Sequence, residues 1–188
     1  MAVRTRQRTD GATFYCTFTC WQWLPLIERT ATHDHIYNWM HLAHAKGFRI
    51  FGYVIMPNHV HLVIHAPEGM SINRLLANAK RFLAYEIRDR LIRQGELALL
   101  EMLKAAVRPC DAARGQEYRV FMPSSDIREC FDEVMLLQKL DYIHTNPAKG
   151  KWMLAENYLD NPHSSAGFYE RGDPTTAPVV HYQMELRT

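Results

Sequence analysis

The sequence has only four cysteines, no long apolar segment and little net charge, and each absence excludes a class of protein. The cysteines do not follow a metal-knuckle spacing, and Cys16 and Cys20 would lie about 13 Å apart on one strand, too far for a disulfide. No run approaches the ~20 apolar residues of a membrane span, and the N-terminus, with Arg4, Arg6 and Arg8, lacks the apolar core of a signal peptide. We therefore expect a cytoplasmic protein with free thiols and a frayed basic N-terminus.

The length of 188 residues and an ordinary composition, 47% hydrophobic and 22% charged, predict one folded domain with a substantial core. We assign residues 1–170 to this domain. Residues 95–116 are predicted to be an insertion or long connection within it, and the turn-rich residues 171–188 a flexible tail. The net charge of +2 is too small to indicate nucleic-acid binding, so that function has to rest on local clusters of charge.

Alternating and helical patterns of apolar residues predict an α+β fold. In chain order we predict a strand over residues 12–21, a helix over 33–46, strands over 48–56 and 59–66, a helix over 72–93, a strand over 118–122 and a helix over 127–146. This order is that of the ferredoxin-like split βαβ, a four-stranded antiparallel sheet with helices packed on one face. The last helix is an extra C-terminal element.

Within the third predicted strand, His59 and His61 are separated by one residue and therefore share one face. Their Cα atoms would lie roughly 6.7 Å apart, which lets both imidazoles bind one metal ion. His65 shares the face but lies about 13 Å from His61, which argues against a three-histidine zinc site. The alternative is that the histidines are simply the polar face of a half-buried strand.

A second candidate group lies on the last predicted helix, where Tyr142 and Asn146 are four residues apart and project from one stripe. A tyrosine hydroxyl beside an amide suits a nucleophile next to a metal ligand. The helix alone also allows a plainer interpretation, in which Tyr142 is an amphipathic helix residue and Asn146 caps the helix before Pro147. The pairing with the histidines is what favours the chemical interpretation.

The predicted helix over residues 72–93 carries six basic and two acidic residues on its exposed side, so its local charge is six minus two, or +4. Such a helix can follow a phosphate backbone, and the alternative is an ordinary solvated charged surface. The candidate DNA-binding residues on it are Arg74, Lys80, Arg81 and Arg88.

Two blocks of sequence carry a resemblance to a known family. The first is Tyr53-Val-Ile-Met-Pro-Asn-His-Val-His-Leu-Val63, and the second is Leu140-Asp-Tyr-Ile-His-Thr-Asn-Pro-Ala-Lys-Gly150. Together, and in this order, they resemble the single-tyrosine HUH transposases of the IS200-like superfamily, most closely the REP-associated tyrosine transposases. The resemblance spans residues 10–169 and implies the same ferredoxin-like fold.

The resemblance implies that His59 and His61 are metal ligands, that Asn146 completes the metal site and that Tyr142 is the nucleophile. It implies Mg²⁺ or Mn²⁺ as cofactor, although imidazoles and an amide oxygen also suit Zn²⁺. The implied partner is single-stranded or hairpin DNA with REP-like palindromes, cut and rejoined through a 5′-phosphotyrosine, by a monomer or a homodimer. The alternative function is that of a catalytically inactive hairpin-binding regulatory protein of the same fold.

Two features depart from the family pattern. Residues 95–115 make a longer connection than the family has, and His163 stands where a tryptophan commonly precedes a Ser-Ser pair. We expect target choice and C-terminal packing to differ most from those of the family.

Overall fold

An antiparallel sheet of four strands forms the centre of the computed structural model, which describes residues 11–149 and 152–185. The strands are β1 (Ala12–Thr19), β2 (Arg49–Met56), β3 (His59–Ala66) and β4 (Asp126–Glu129). They lie in the order β2-β3-β1-β4, and every neighbouring pair is antiparallel. The predicted α+β, ferredoxin-like fold is thus confirmed. The predicted basic arm at Arg4, Arg6 and Arg8 lies outside the described residues.

The helices connect these strands and follow them. They are α1 (Leu26–Arg29), α2 (His33–Ala45), α3 (Ile72–Arg93), α4 (Leu97–Ala105), α5 (Pro109–Ala112), α6 (Glu133–Thr145), α7 (Ala166–Arg171) and α8 (Tyr182–Glu185). Short 3₁₀ turns cover Trp21–Trp23, Asn146–Ala148 and Tyr158–Asp160. No helix in the described ranges has the length and apolar character of a membrane span.

Both faces of the sheet are covered. The larger core lies on the face that packs against α2 and α3, and includes Phe18, Leu62, Ile36 and Leu76. The smaller core lies on the opposite face beneath α6, and includes Val54, Val63, Leu136, Leu140 and Ile143. Because His59 and His61 alternate in phase with Val63, their side chains point to the α6 face.

The fourth strand and the last helix differ from their predicted positions. Residues 118–122 are extended along the edge of β1 and form one bridge, between Phe121 and Cys20, but the strand itself is Asp126–Glu129. Pro123 has no N–H to donate and interrupts the ladder between these two segments. Helix α6 begins at Glu133, not at residue 127, because the Asp132 side chain accepts a hydrogen bond from the Met135 N–H at 2.7 Å and caps it.

The predicted insertion and the predicted tail both pack against the rest of the domain. In the predicted insertion, Leu100 and Leu103 of α4 are buried in the larger core. In the predicted tail, Val179 forms a parallel bridge with Ile50, and Ala177 is buried. Apolar residues of this segment therefore cover the edge of β2.

Helix α6 lies unusually close to the sheet at Gly52, which follows a bulge in β2. A Cβ atom at Gly52 would lie 2.5 Å from Leu140 Cδ2 and 3.2 Å from Ile143 Cδ1, so any larger residue would force these two side chains to shift. The helix is also tied to β2 through Ser165, whose Oγ lies 2.8 Å from His144 Nε2 and accepts a hydrogen bond from the Tyr53 N–H at 2.9 Å.

Replacing this glycine should loosen α6. We expect Gly52→Ala to lower the free energy of unfolding by about 1–3 kcal/mol, because the new methyl group overpacks the interface. Urea unfolding of the two proteins measures the difference. The double variant Gly52→Ala/Leu140→Val should recover part of the loss, since it removes the clashing methyl. Equal stability of Gly52→Ala and the native chain would contradict the close packing.

The protein should lose stability in mild acid. Burial is the main cause that lowers the pKa values of five histidines: His33, His59, His61, His144 and His163. For His144 the pKa falls to about 4, so between that value and its ordinary 6.5 the folded state binds fewer protons than the unfolded state. Its contribution is present above pH 6.5 and is lost as pH falls towards 4, at about 1 kcal/mol per pH unit.

Urea unfolding at several pH values between 7 and 4 tests this stability profile. His144→Gln keeps an N–H that can reach Ser165 and has no titrating ring, so the unfolding free energy of this variant should fall less steeply with acid. An unchanged slope would show that His144 does not titrate on unfolding.

Candidate active site

The imidazoles of His59 and His61 meet at the start of β3. Both side chains are buried, and their Nε2 atoms lie 3.0 Å apart. Two nitrogens that each bind one ion at about 2.1 Å, at right angles, would be ~3.0 Å apart. The spacing of the pair therefore fits two adjacent ligands of a single metal ion.

The other ring nitrogen of His59 is held by the buried side chain of Asn58. The amide Nδ2 of Asn58 donates to the Trp23 carbonyl at 2.9 Å, which turns its Oδ1 towards His59 Nδ1 at 2.6 Å. Because an amide oxygen can only accept, Nδ1 of His59 carries the proton. The lone pair of His59 is thus on Nε2, the nitrogen that faces His61.

The outer nitrogen of His61 meets two hydroxyl groups of β1. Thr17 Oγ1 lies 2.6 Å from His61 Nδ1, and the Tyr15 hydroxyl lies 3.0 Å from it. The Thr17 hydroxyl also donates to the Tyr15 oxygen at 3.0 Å. Because its single proton is donated to Tyr15, the Thr17 oxygen accepts from His61 Nδ1–H, and the lone pair of His61 is left on Nε2, facing His59.

Burial keeps both rings neutral. It lowers the pKa of His59 to about 4, and burial together with the neighbouring His59 lowers the pKa of His61 to about 3. A metal ligand has to be the neutral imidazole, so the pair has the required charge state at pH 7.

Tyr142 lies beside this pair. It projects from α6 with its side chain half exposed (49%), and its ring centroid is 5.5 Å from that of His61. The Tyr15 ring centroid lies 6.0 Å from that of Tyr142 and 5.7 Å from that of His61, so the three rings are mutual neighbours. The structure therefore brings the predicted nucleophile next to the predicted metal ligands, because the apolar stripe of α6 packs on the sheet face that carries the histidines.

The other two candidate metal ligands are Asn146 and His65. Asn146 is partly buried at the C-cap of α6, where the 3₁₀ turn begins, and within the described residues no hydrogen bond joins its amide to His59 or His61. His65 lies at the far end of β3, where its Nδ1 is 3.2 Å from Thr13 Oγ1. In the described part of the chain no three His, Cys, Asp or Glu side chains form a metal-binding group, so the three-histidine zinc site is not formed.

Sequence reasoning missed the residues that orient the pair. Asn58 immediately precedes His59, while Tyr15 and Thr17 are distant in sequence and reach His61 because β1 pairs with β3. It also missed Lys139, whose Nζ lies 4.9 Å from the centre of the Tyr15 ring. The Thr17-to-His61 register is set by strand pairing, which no local pattern encodes.

The predicted DNA-binding residues lie on α3, against the opposite face of the sheet. Lys80, Arg81 and Arg88 line a cleft of about 720 Å³ between α3 and residues 108–123, whereas Arg74 is exposed outside it. Lys80 donates to the carbonyls of Met122 and Pro123, and burial lowers its pKa to about 8. Arg88 pairs with acidic neighbours, whereas the exposed Arg81 has its guanidinium 4.7 Å from the centre of the Phe82 ring.

Comparisons with known proteins were made for both sequence and fold. No curated protein matches the chain. A solved structure of a putative transposase from Deinococcus radiodurans is 17% identical, covers 74% of this chain and 94% of its own, and has a TM-score of 0.36. A solved structure of a REP-associated tyrosine transposase bound to a REP hairpin is 18% identical, covers 94% of this chain and 90% of its own, and has a TM-score of 0.59.

A family model described as "Transposase IS200 like" matches residues 25–99. The matched residues include His59 and His61, whereas Tyr142 and Asn146 lie beyond them. The family model thus confirms the resemblance to the IS200-like transposases over residues 25–99, and the solved transposase structure shares the fold over nearly the whole chain.

Proposed function

We propose that the protein is a metal-dependent DNA strand transferase that cuts and rejoins single-stranded DNA near REP-like hairpins. The observation that carries the proposal is the convergence of His59 Nε2 and His61 Nε2 at 3.0 Å with the half-exposed Tyr142 beside them. Histidines that formed only the polar face of a strand would not require burial of both imidazoles with each Nδ1 hydrogen-bonded to a side chain.

The metal site would use the two Nε2 atoms, with the Asn146 amide oxygen as the third protein ligand. Mg²⁺ or Mn²⁺ bound there would draw charge from the attacked phosphate and so help a weak nucleophile. The chain itself supplies two neutral rings whose free lone pairs would otherwise face each other across 3.0 Å, a strained arrangement unless a proton or a cation lies between them.

Tyr142 would carry out the covalent step. Its oxygen attacks the phosphorus, the bond from phosphorus to the 3′-oxygen breaks, and the proton of the phenol ends on that 3′-oxygen. The products are a 5′-phosphotyrosine and a free 3′-hydroxyl, and reversal by another 3′-hydroxyl rejoins the strand. The exposure of Tyr142 supports this role, because the attacked phosphate has to reach it from solvent.

The DNA partner is proposed from the similar solved structure, which holds a REP hairpin. Arg74 and Arg81 on α3 are exposed cations that would contact phosphates. Lys80 and Arg88 would contribute mainly charge to that side, since both already have partners within the protein.

Removal of the Tyr142 hydroxyl should abolish covalent attachment. We expect Tyr142→Phe to form no adduct with hairpin-bearing single strands in Mg²⁺ or Mn²⁺, while its affinity for the hairpin stays within about twofold, because the ring is retained. Denaturing electrophoresis of labelled DNA detects the adduct. Tyr85→Phe is the matched control, because Tyr85 is also half exposed (51%) but lies on α3.

An adduct that persists in Tyr142→Phe would contradict the assignment. A native protein that binds hairpins but forms no adduct in either metal would favour the catalytically inactive regulatory protein.

Loss of the Thr17 hydroxyl should weaken metal binding. We expect Thr17→Val to reduce Mn²⁺ affinity by about 10-fold to 100-fold, because it removes the 2.6 Å contact with His61 Nδ1 and leaves only the longer contact from the Tyr15 hydroxyl at 3.0 Å. Thr17→Ser should restore it. Thr13→Val is the matched control, because Thr13 makes the same kind of contact with His65 on the same pair of strands. Titration calorimetry gives the affinities, and an equal loss in Thr17→Val and Thr13→Val would refute the site.

A further inference from the structure

The backbone of the loop after β1 is strained next to the histidine pair. Gln22 and Trp23 have φ values of 50° and 59°, in the left-handed region that bulky residues rarely adopt. Hydrogen bonds hold the loop there: Trp21 N–H donates to the Val120 carbonyl at 2.8 Å, and Trp23 N–H donates to the Cys20 carbonyl at 3.1 Å. Strain maintained by surrounding contacts is typical of functional sites.

The two tryptophans of this loop have different environments. Trp21 packs against the larger core and lies under the guanidinium of Arg119, 4.9 Å from its ring centroid. Trp23 leaves 57% of its surface exposed and belongs to neither core. Trp23 thus exposes a large aromatic side chain to solvent at a position where its backbone is strained. Packing of the fold does not explain this arrangement.

Trp23 is also adjacent to the proposed metal ligands. Its ring centroid lies 6.0 Å from that of His59, with the two ring planes at 76°. Its carbonyl accepts the hydrogen bond from Asn58 that sets the orientation of the amide against His59. The Trp23 backbone is therefore anchored beside the histidine pair, while 57% of the surface of the residue remains exposed.

We propose that Trp23 is a stacking platform for an unpaired nucleobase of the DNA strand whose phosphodiester reaches Tyr142. The inference rests on the proposed function, because it takes the histidine pair as the place where that phosphodiester lies. An exposed indole offers a flat apolar surface on which any base can stack, and such contacts tolerate sequence changes. Trp23 would position the strand by its base, while the cations position it by its phosphates.

The test compares two strands of about 15 nucleotides, oligodeoxythymidine and an abasic strand with the same phosphates, in buffer with a chelator so that neither is cut. Fluorescence anisotropy gives both affinities. We expect the native protein to prefer the strand with bases, and Trp23→Ala to lose about tenfold on that strand and little on the abasic strand. Trp23→Phe should keep most of the preference. Phe131→Ala is the matched control, because Phe131 is an exposed aromatic near Thr13, at the opposite end of β1.

A second variant separates stacking from a structural role. Trp23→Gly should remove the base preference without lowering the thermal unfolding midpoint, because glycine adopts positive φ without strain. The proposal is overturned if the native protein binds both strands equally, if Trp23→Ala weakens both equally, or if Trp23→Gly binds as the native protein does.

These outcomes are independent of the strand-transfer chemistry. Base preference lost in Trp23→Ala while no Tyr142 adduct ever forms would uphold stacking and refute the proposed strand transferase. An adduct formed without any base preference would refute stacking alone.

Discussion

The register between β1 and β3 is the constraint on which the site depends. It sets Thr17 opposite His61 and Thr19 opposite His59, so the hydroxyls of β1 reach the outer nitrogen of His61. Side chains alternate between faces along a strand, so a slip of one residue would turn both imidazoles away from α6 and towards the larger core. Burial of Val60, Leu62 and Ile64 on that core face disfavours such a slip, so hydrophobic burial and the proposed chemistry require the same register.

The position of Tyr142 depends on a second contact, the close approach of α6 to Gly52. A helix held farther from the sheet would carry Tyr142 away from His61, even if its sequence were unchanged. The absence of one side chain at Gly52, together with the contact between His144 and Ser165, therefore sets the distance between Tyr142 and the histidine pair. Stability and activity should be coupled at this interface, because both depend on the same packing.

The histidine pair is arranged at some cost to stability. Burial keeps both rings neutral, which suits ligands, but makes the folded state sensitive to acid. The left-handed backbone at Gln22 and Trp23 adds strain on the other side of His59. Such features are expected where a surface serves binding rather than folding alone.

The sequence by itself determined the fold class, the shared face of His59 and His61 and the shared stripe of Tyr142 and Asn146, because these follow from the periods of strands and helices. It misplaced the fourth strand and the start of α6, since the polar segment Asp126–Glu129 becomes a strand only by pairing with β1. It also missed the pairing of Val179 and Val180 with Ile50 on the edge of β2, and the contacts of Asn58, Thr17 and Trp23 around the histidines. Only the tertiary structure decided these, because strand pairing and burial join residues whose separation along the chain no local pattern can encode.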